Sequence, residues 1–132
     1  MAKCEHDRVR QSCSVCSPEQ VYRQYEYKAR KRNLSFSLTL AEFEKLTRAE
    51  CFYCSEIPAM GIDRRDNRIG YNSRNSVPAC VECNFMKRAM LEHRFIARAL
   101  KIAAHQKKKQ EALRKETAHT PTLSDPPQAV VV

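Results

Sequence analysis

The seven cysteines of this chain and one of its histidines sort by spacing into two groups of four, with no cysteine left over. Cys51-x-x-Cys54 and Cys80-x-x-Cys83 make one quartet; Cys4-x-His6 and Cys13-x-x-Cys16 make the other. A Cys-x-x-Cys pair turns two sulfurs toward one point, and two such pairs close a tetrahedral site for a structural Zn²⁺. A disulfide framework is the competing reading. It needs an oxidising compartment, whereas the chain opens on polar and charged residues with no secretory signal, and seven cysteines would leave one unpaired. Both quartets are therefore read as structural zinc sites of a protein that is not secreted and works in a reducing, intracellular compartment.

The elements that must hold these ligands are small. The 132 residues suffice for one modest domain with appendages, and with two glycines, no tryptophan and 8% aromatics the expected core is meagre. Metal would then supply cohesion that burial cannot, and folding should depend on it. The net charge of +9 favours a polyanionic partner, most simply nucleic acid, against the plainer reading of a solvated basic surface. No apolar run reaches the length of a membrane span.

Along the chain, residues 1–17 read as an N-terminal zinc knuckle and 18–50 as a basic helical lead-in. Ser17 as N-cap, Pro18 at the first helical position and Gln20 behind them predict a helix to about Asn33. Its Val21, Tyr25 and Ala29 face inward, while Arg30, Lys31 and Arg32 belong to a basic run suited to a phosphate backbone. Phe36, Leu38 and Leu40 alternate with polar residues and predict a short extended segment. A Thr39/Glu42 capping box then starts a second helix with Leu40, Phe43 and Leu46 on one face. Between the cysteine pairs, Gly61–Arg64 and Tyr71 flank the turn-forming Asp66-Asn67-Arg68-Ile69-Gly70, which predicts a β-hairpin. From Asn84 one continuous helix is expected, with Phe85, Ala89, Ile96, Leu100 and Ala103 along its apolar face, fraying at Lys107-Lys108-Lys109. A structureless tail is expected from about residue 117 to 132. The domain reading is completed by 51–104 as the central unit and 105–132 as a basic extension with that tail.

Cysteine pair, hairpin, cysteine pair, helix is the order of a zinc-bound ββα unit. Cys51-Phe52-Tyr53-Cys54, Gly61-Ile62-Asp63-Arg64-Arg65-Asp66-Asn67, Gly70-Tyr71, Asn75, Pro78 and Cys80-Val81-Glu82-Cys83-Asn84-Phe85-Met86-Lys87 closely resemble the HNH endonuclease superfamily. The resemblance is to its four-cysteine zinc branch, found in phages, large DNA viruses and mobile elements. With the basic lead-in and the N-terminal Cys-x-His…Cys-x-x-Cys finger it covers about residues 3–100. It implies an α+β fold: a small zinc-stabilised ββα-metal (treble-clef-like) domain with flanking helices and an N-terminal zinc knuckle. A phage-encoded protein of this kind would work in the host cytoplasm.

The resemblance further implies hydrolysis of DNA phosphodiesters with one catalytic divalent ion, Mg²⁺ or Mn²⁺, shared by Asp63 and Asn84. Both side chains offer the oxygen that a hard cation prefers. Asn75 corresponds to the middle asparagine, which holds the loop that orients the catalytic residue. Arg64 stands where the superfamily has its general-base histidine; arginine stays protonated, so it would bind the phosphate and stabilise charge instead. Asp66, His93 and a metal-bound water are the remaining candidates for a base, Asp66 reading better as a turn residue and His93 lying more than two helical turns past Asn84; His105 and His119 read as solvated. Arg65, Lys87 and Arg88 join Arg30, Lys31 and Arg32 as expected nucleic-acid contacts, to DNA first and RNA second. The alternatives to an endonuclease are a catalytically silent, zinc-stabilised DNA- or RNA-binding protein and a protein–protein adaptor.

Overall fold

A computed structural model describes residues 2–118; the tail expected from about 117 lies outside them from 119 onward, His119 included. The first helix, α1, runs Pro18–Lys31, with Pro18 in the first turn where its missing N–H costs nothing. Ser17 is the N-cap residue, but its hydroxyl donates 2.9 Å to the Arg10 carbonyl, so the expected cap hydrogen bond is not made. The hydroxyl instead ties the helix start to a 3-10 turn at Arg10–Ser12. Asn33, at φ 54°, stops the helix in a conformation that asparagine tolerates. The second helix, α2, runs Leu40–Arg48 behind the predicted capping box: Glu42 N–H donates 3.1 Å to Thr39 Oγ1, and Thr39 N–H donates 2.8 Å to Glu42 Oε2.

These helices enclose more core than the composition implies. Val21, Leu38, Phe43 and Ile62 are buried together, and Tyr22, Tyr25, Phe36, Leu46 and Tyr71 pack against them. The rings of Tyr22, Tyr25, Phe36, Phe43 and Tyr71 meet in tilted and edge-on pairs with centroids 5.3 to 6.1 Å apart. Tyr22 donates 2.6 Å to the Leu38 carbonyl, which satisfies its hydroxyl inside the cluster. Half of the ten aromatic residues are thus gathered in this one cluster.

The sheet has two antiparallel strands, β1 (Gly61–Arg64) and β2 (Ser76–Ala79), with Asp63 opposite Val77. The predicted return strand at Tyr71 is corrected: the chain pairs again only at Ser76. Tyr71 forms a parallel bridge with Phe36, in which Ser37 N–H donates 2.9 Å to the Tyr71 carbonyl and Tyr71 N–H donates 2.8 Å to the Ser35 carbonyl. The crossing is close enough that a Cβ on Gly70 would run into the Ser35 backbone. Pro78 is tolerated in β2 because, among the described residues, the sheet has no third strand to need its N–H; its carbonyl accepts from Phe52 N–H at 2.8 Å.

The single helix expected from Asn84 is two. α3 spans Val81–Lys87 and ends at Arg88 (φ 50°, ψ −124°); α4 spans Glu92–Thr117. The break destroys the periodicity assumed from Asn84 onward: Phe85 is 69% and Leu100 66% exposed, Ala89 and Ala103 are exposed, and the buried residue is Phe95. α4 also continues through Lys107-Lys108-Lys109 instead of fraying there. The chain divides into two compact units, Met1–Phe95 and Ile96–Val132. In the first, the opening turn of α4 is held by Phe95 edge-on to Tyr53 at 5.2 Å and by an ion pair between Glu92 and Arg65. In the described part of the second, the side chains from 101 onward are exposed. The architecture is α+β, and no described helix is long and apolar enough to cross a membrane.

Candidate active site and metal centres

The two ligand quartets converge as the spacing requires. In each, one ligand atom per residue lies within 4.8 Å of all the others. A tetrahedral zinc with bonds of about 2.3 Å to sulfur and 2.0–2.1 Å to nitrogen sets S···S near 3.8 Å and S···N near 3.6 Å. Cys54 Sγ lies 3.7 Å from Cys80 Sγ, and His6 Nδ1 lies 3.8, 3.6 and 3.5 Å from the sulfurs of Cys4, Cys13 and Cys16. These are separations of ligands around one ion; a disulfide would need about 2.05 Å, and all seven cysteines are free.

Backbone N–H groups point at two sulfurs of the Cys51/Cys54/Cys80/Cys83 quartet. Cys80 N–H points at Cys51 Sγ (3.3 Å) and Cys83 N–H at Cys80 Sγ (3.4 Å), the latter capping α3. Burial raises the Cys51 thiol, but N–H donors from Cys80, Cys54 and Tyr53 outweigh it and bring it down to about 7. Burial and the neighbouring sulfurs push Cys83 up. Four thiols this close want a shared cation, and both quartets fit zinc. The knuckle is joined to the ββα unit through buried Ser14, whose hydroxyl donates 2.6 Å to the Met60 carbonyl.

α3, which starts within the Cys51/Cys54/Cys80/Cys83 quartet, lies against β1, and three side chains gather there. Asp63, on β1, is 5% exposed. Its Oδ2 accepts from the Tyr53 hydroxyl at 2.7 Å and pairs with Lys87 Nζ at 3.1 Å. Among the described residues its Oδ1 receives no hydrogen bond, and neither does the side-chain oxygen of Asn84, whose amide nitrogen donates 3.2 Å to the Ile62 carbonyl. Asn84 and Lys87 stand three apart on α3, so both meet β1. Two side-chain oxygens are thereby left without a hydrogen bond, and oxygen is the donor type that a hard cation such as Mg²⁺ or Mn²⁺ takes.

Two basic residues do not stand where the sequence reading put them. Lys87 is completely buried; besides Asp63 it donates 2.9 Å to the Arg64 carbonyl and 3.4 Å to Asn67 Oδ1, so it presents no charge to a nucleic-acid backbone. Arg64 is 5% exposed, donates from Nη1 to the carbonyls of Asn67 (2.7 Å) and Ile69 (3.0 Å), and stacks over Tyr71. Its visible work is to brace the loop between the strands. Asn75 braces the same loop, with its amide nitrogen on the carbonyls of Asp66, Ile69 and Gly70 and its oxygen accepting from Asp66 N–H.

Asp66 is a turn residue: the Arg68 guanidinium and backbone N–H hold its carboxyl down at about 2, which leaves it a poor base. His93 is exposed on the first turn of α4. Arg65 and Arg88 are exposed, Arg65 pairing with Glu92 and Arg88 stacking on Phe85. Arg30, Lys31 and Arg32 are exposed at the end of α1, where Arg30 pairs with Glu26 at 3.3 Å. Tyr53 and the burial of Lys87 escaped the sequence reading. The spacing of Lys87 from Asn84 was the available signal; nothing but its place between two ligands marked Tyr53. Burial, then the Asp63 carboxylate, push the Tyr53 phenol well above its usual range, so it remains a proton donor to Asp63.

No family model matches the chain. It is 40% identical over 85 residues, 62% of its length, to an uncharacterized protein of Acanthamoeba polyphaga mimivirus, and spans only 16% of that relative. In three dimensions it is similar to the rare-cutting HNH restriction endonuclease PacI, with a TM-score of 0.54 and 21% identity over 82% of this chain and 99% of that one. The chain thus has the fold of an HNH endonuclease, a nuclease-like α+β domain whose two Cys/His clusters are arranged to bind zinc.

Proposed function

We propose that the protein is a metal-dependent endonuclease that hydrolyses DNA phosphodiester bonds, with zinc confined to structure in both quartets. The observation that carries the reading is the pair of uncommitted oxygens among the described residues, Asp63 Oδ1 on β1 and the side-chain oxygen of Asn84 on α3, whose amide reaches β1 at Ile62. A bound Mg²⁺ or Mn²⁺ would supply Lewis-acid polarisation of the phosphate and stabilise the leaving oxygen. The chain's own contribution is positional. Tyr53 and Lys87 fix one oxygen of Asp63, Ile62 fixes the Asn84 amide, and Arg64 with Asn75 fixes the loop between the strands. Exposed Arg30, Lys31, Arg32, Arg65 and Arg88 would meet DNA phosphates. With Arg64 in place of a base, and Asp66 held ionised by Arg68, proton removal from the attacking water falls to solvent, and slow cleavage is expected.

A second reading is favoured by a specific observation: Lys87 already neutralises Asp63, as it would in a silent DNA- or RNA-binding module. The experiment that separates the two is incubation of the zinc-loaded protein with supercoiled plasmid and Mg²⁺ or Mn²⁺. Metal-dependent nicking that disappears in Asp63→Ala, with both zincs retained, supports the enzyme. Binding without cleavage of duplex, branched or single-stranded DNA leaves the silent module.

A further inference from the structure

Beside Asn84, on the side of α3 away from Lys87, lies a groove of about 480 Å³ between the knuckle, α1 and α3. Its floor is apolar, including Val21, Met60 and Ala79, and Arg8 and Arg88 stand in its lining. Phe85 lines it while remaining 69% exposed, a large apolar cost, with the Arg88 guanidinium 5.1 Å from the ring centre. The backbone of Arg88 is held firmly. Its φ of 50° with ψ −124° is a conformation that side-chain-bearing residues avoid, and its carbonyl is pinned by Asn67 Nδ2 at 2.8 Å. Arg8 is held as well, since its carbonyl accepts from Cys4 N–H at 2.8 Å within the knuckle.

We infer that this groove is a binding site for one unpaired nucleotide, its base stacking on Phe85 and its phosphates meeting Arg8 and Arg88. Three features select that occupant. The volume sits within the ~300–1,000 Å³ of pockets that enclose small ligands and is far too small for a duplex. An exposed aromatic ring with an arginine layered on it is the platform on which bases stack irrespective of sequence. Two arginines anchored by their backbones beside an apolar lining complement a ligand that is flat and apolar at one end and anionic at the other. The inference deepens the proposed function, because Asn84 belongs both to this groove and to the oxygen pair. It gives the groove to a nucleotide adjoining the bond to be cut, and the substrate class becomes DNA with a bulged, flipped or single-stranded base.

The test is binding, measured without added divalent ion so that cleavage plays no part. Full-length, zinc-loaded protein is titrated at one fixed salt concentration into a perfectly paired duplex and into the same duplex carrying a single 2-aminopurine bulge. The bulged DNA should bind about 10-fold tighter, within what one stacked base contributes, and its fluorescence should be quenched on binding. Phe85→Ala should abolish both the preference and the quenching while leaving affinity for the paired duplex unchanged. Phe85→Trp should restore them. Zinc content and circular dichroism report that Phe85→Ala has folded. Equal affinity of the wild type for both DNAs overturns the inference even if plasmid nicking is observed. Displacement of the bulged DNA by poly-glutamate, with no effect of Phe85→Ala, assigns the groove to acidic peptide instead. A preference for the bulge in a protein that never cleaves sustains the groove and removes the nuclease.

Discussion

Replacing Lys87 by methionine, a side chain of similar length without the charge, isolates the least expected feature of the site. The lysine is completely buried, 3.1 Å from Asp63 Oδ2, with further bonds to the Arg64 carbonyl and Asn67 Oδ1. At an effective dielectric of about 20, charges at that separation attract by ~5 kcal/mol, against which stands the desolvation of both ions. The net worth of the pair is therefore small, but breaking it is not. Lys87→Met strands a carboxylate that is 5% exposed and should cost ~3–5 kcal/mol. Asp63→Asn strands the ammonium and should cost a similar amount. The double variant removes both charges and should be less destabilised than the sum of the two by ~2 kcal/mol or more. Urea unfolding under buffered zinc, so that metal loss does not blur the transition, gives all four values. A Lys87→Met cost below about 1 kcal/mol, or strict additivity in the double variant, would refute the buried pair.

Three further outcomes are expected. Purified protein should contain two zincs per chain by elemental analysis, and strong chelation should abolish its helical circular dichroism, since the sulfur and nitrogen separations in both quartets are those of ligands sharing an ion. Gly70→Ala should destabilise the fold by ~1–3 kcal/mol in the same unfolding assay, because the new Cβ meets the Ser35 backbone, which cannot move without opening the Phe36–Tyr71 bridge. Arg88→Gly should raise stability by ~0.5–1 kcal/mol by relieving the backbone at φ 50°, yet weaken binding of the bulged duplex, so that stability and affinity move in opposite directions.

The ligand quartets, the Thr39 capping box, the start of α1 and the extended segment at Phe36 could all be read from the chain, because each rests on short-range chemistry. What failed was non-local. Ser76-Val77-Pro78-Ala79 has no alternation and contains proline, so it reads as loop; only the partner β1 and the absence of a third strand make it β2. The stop between α3 and α4 falls at an arginine with positive φ, not at the glycine a helix end normally advertises, and missing it displaced the apolar face onto exposed Phe85 in place of buried Phe95. Lysine is by default a surface residue, and nothing local reveals that Lys87 turns inward to Asp63. Arg64 was legible as the odd residue of the motif, but its engagement with the Asn67 and Ile69 carbonyls depends on the path of the loop.

In the proposed nuclease, Asp63 and Asn84 together hold a hard cation apart from both zincs. Titration of zinc-saturated protein with Mn²⁺, followed by electron paramagnetic resonance, tests it most directly. The wild type should bind a single Mn²⁺ that Mg²⁺ displaces, and Asp63→Asn and Asn84→Ala should each weaken that binding by about 10-fold or more with zinc content unchanged. Absence of bound Mn²⁺, or binding indifferent to both substitutions, would contradict the claim and leave the fold without its catalytic ion.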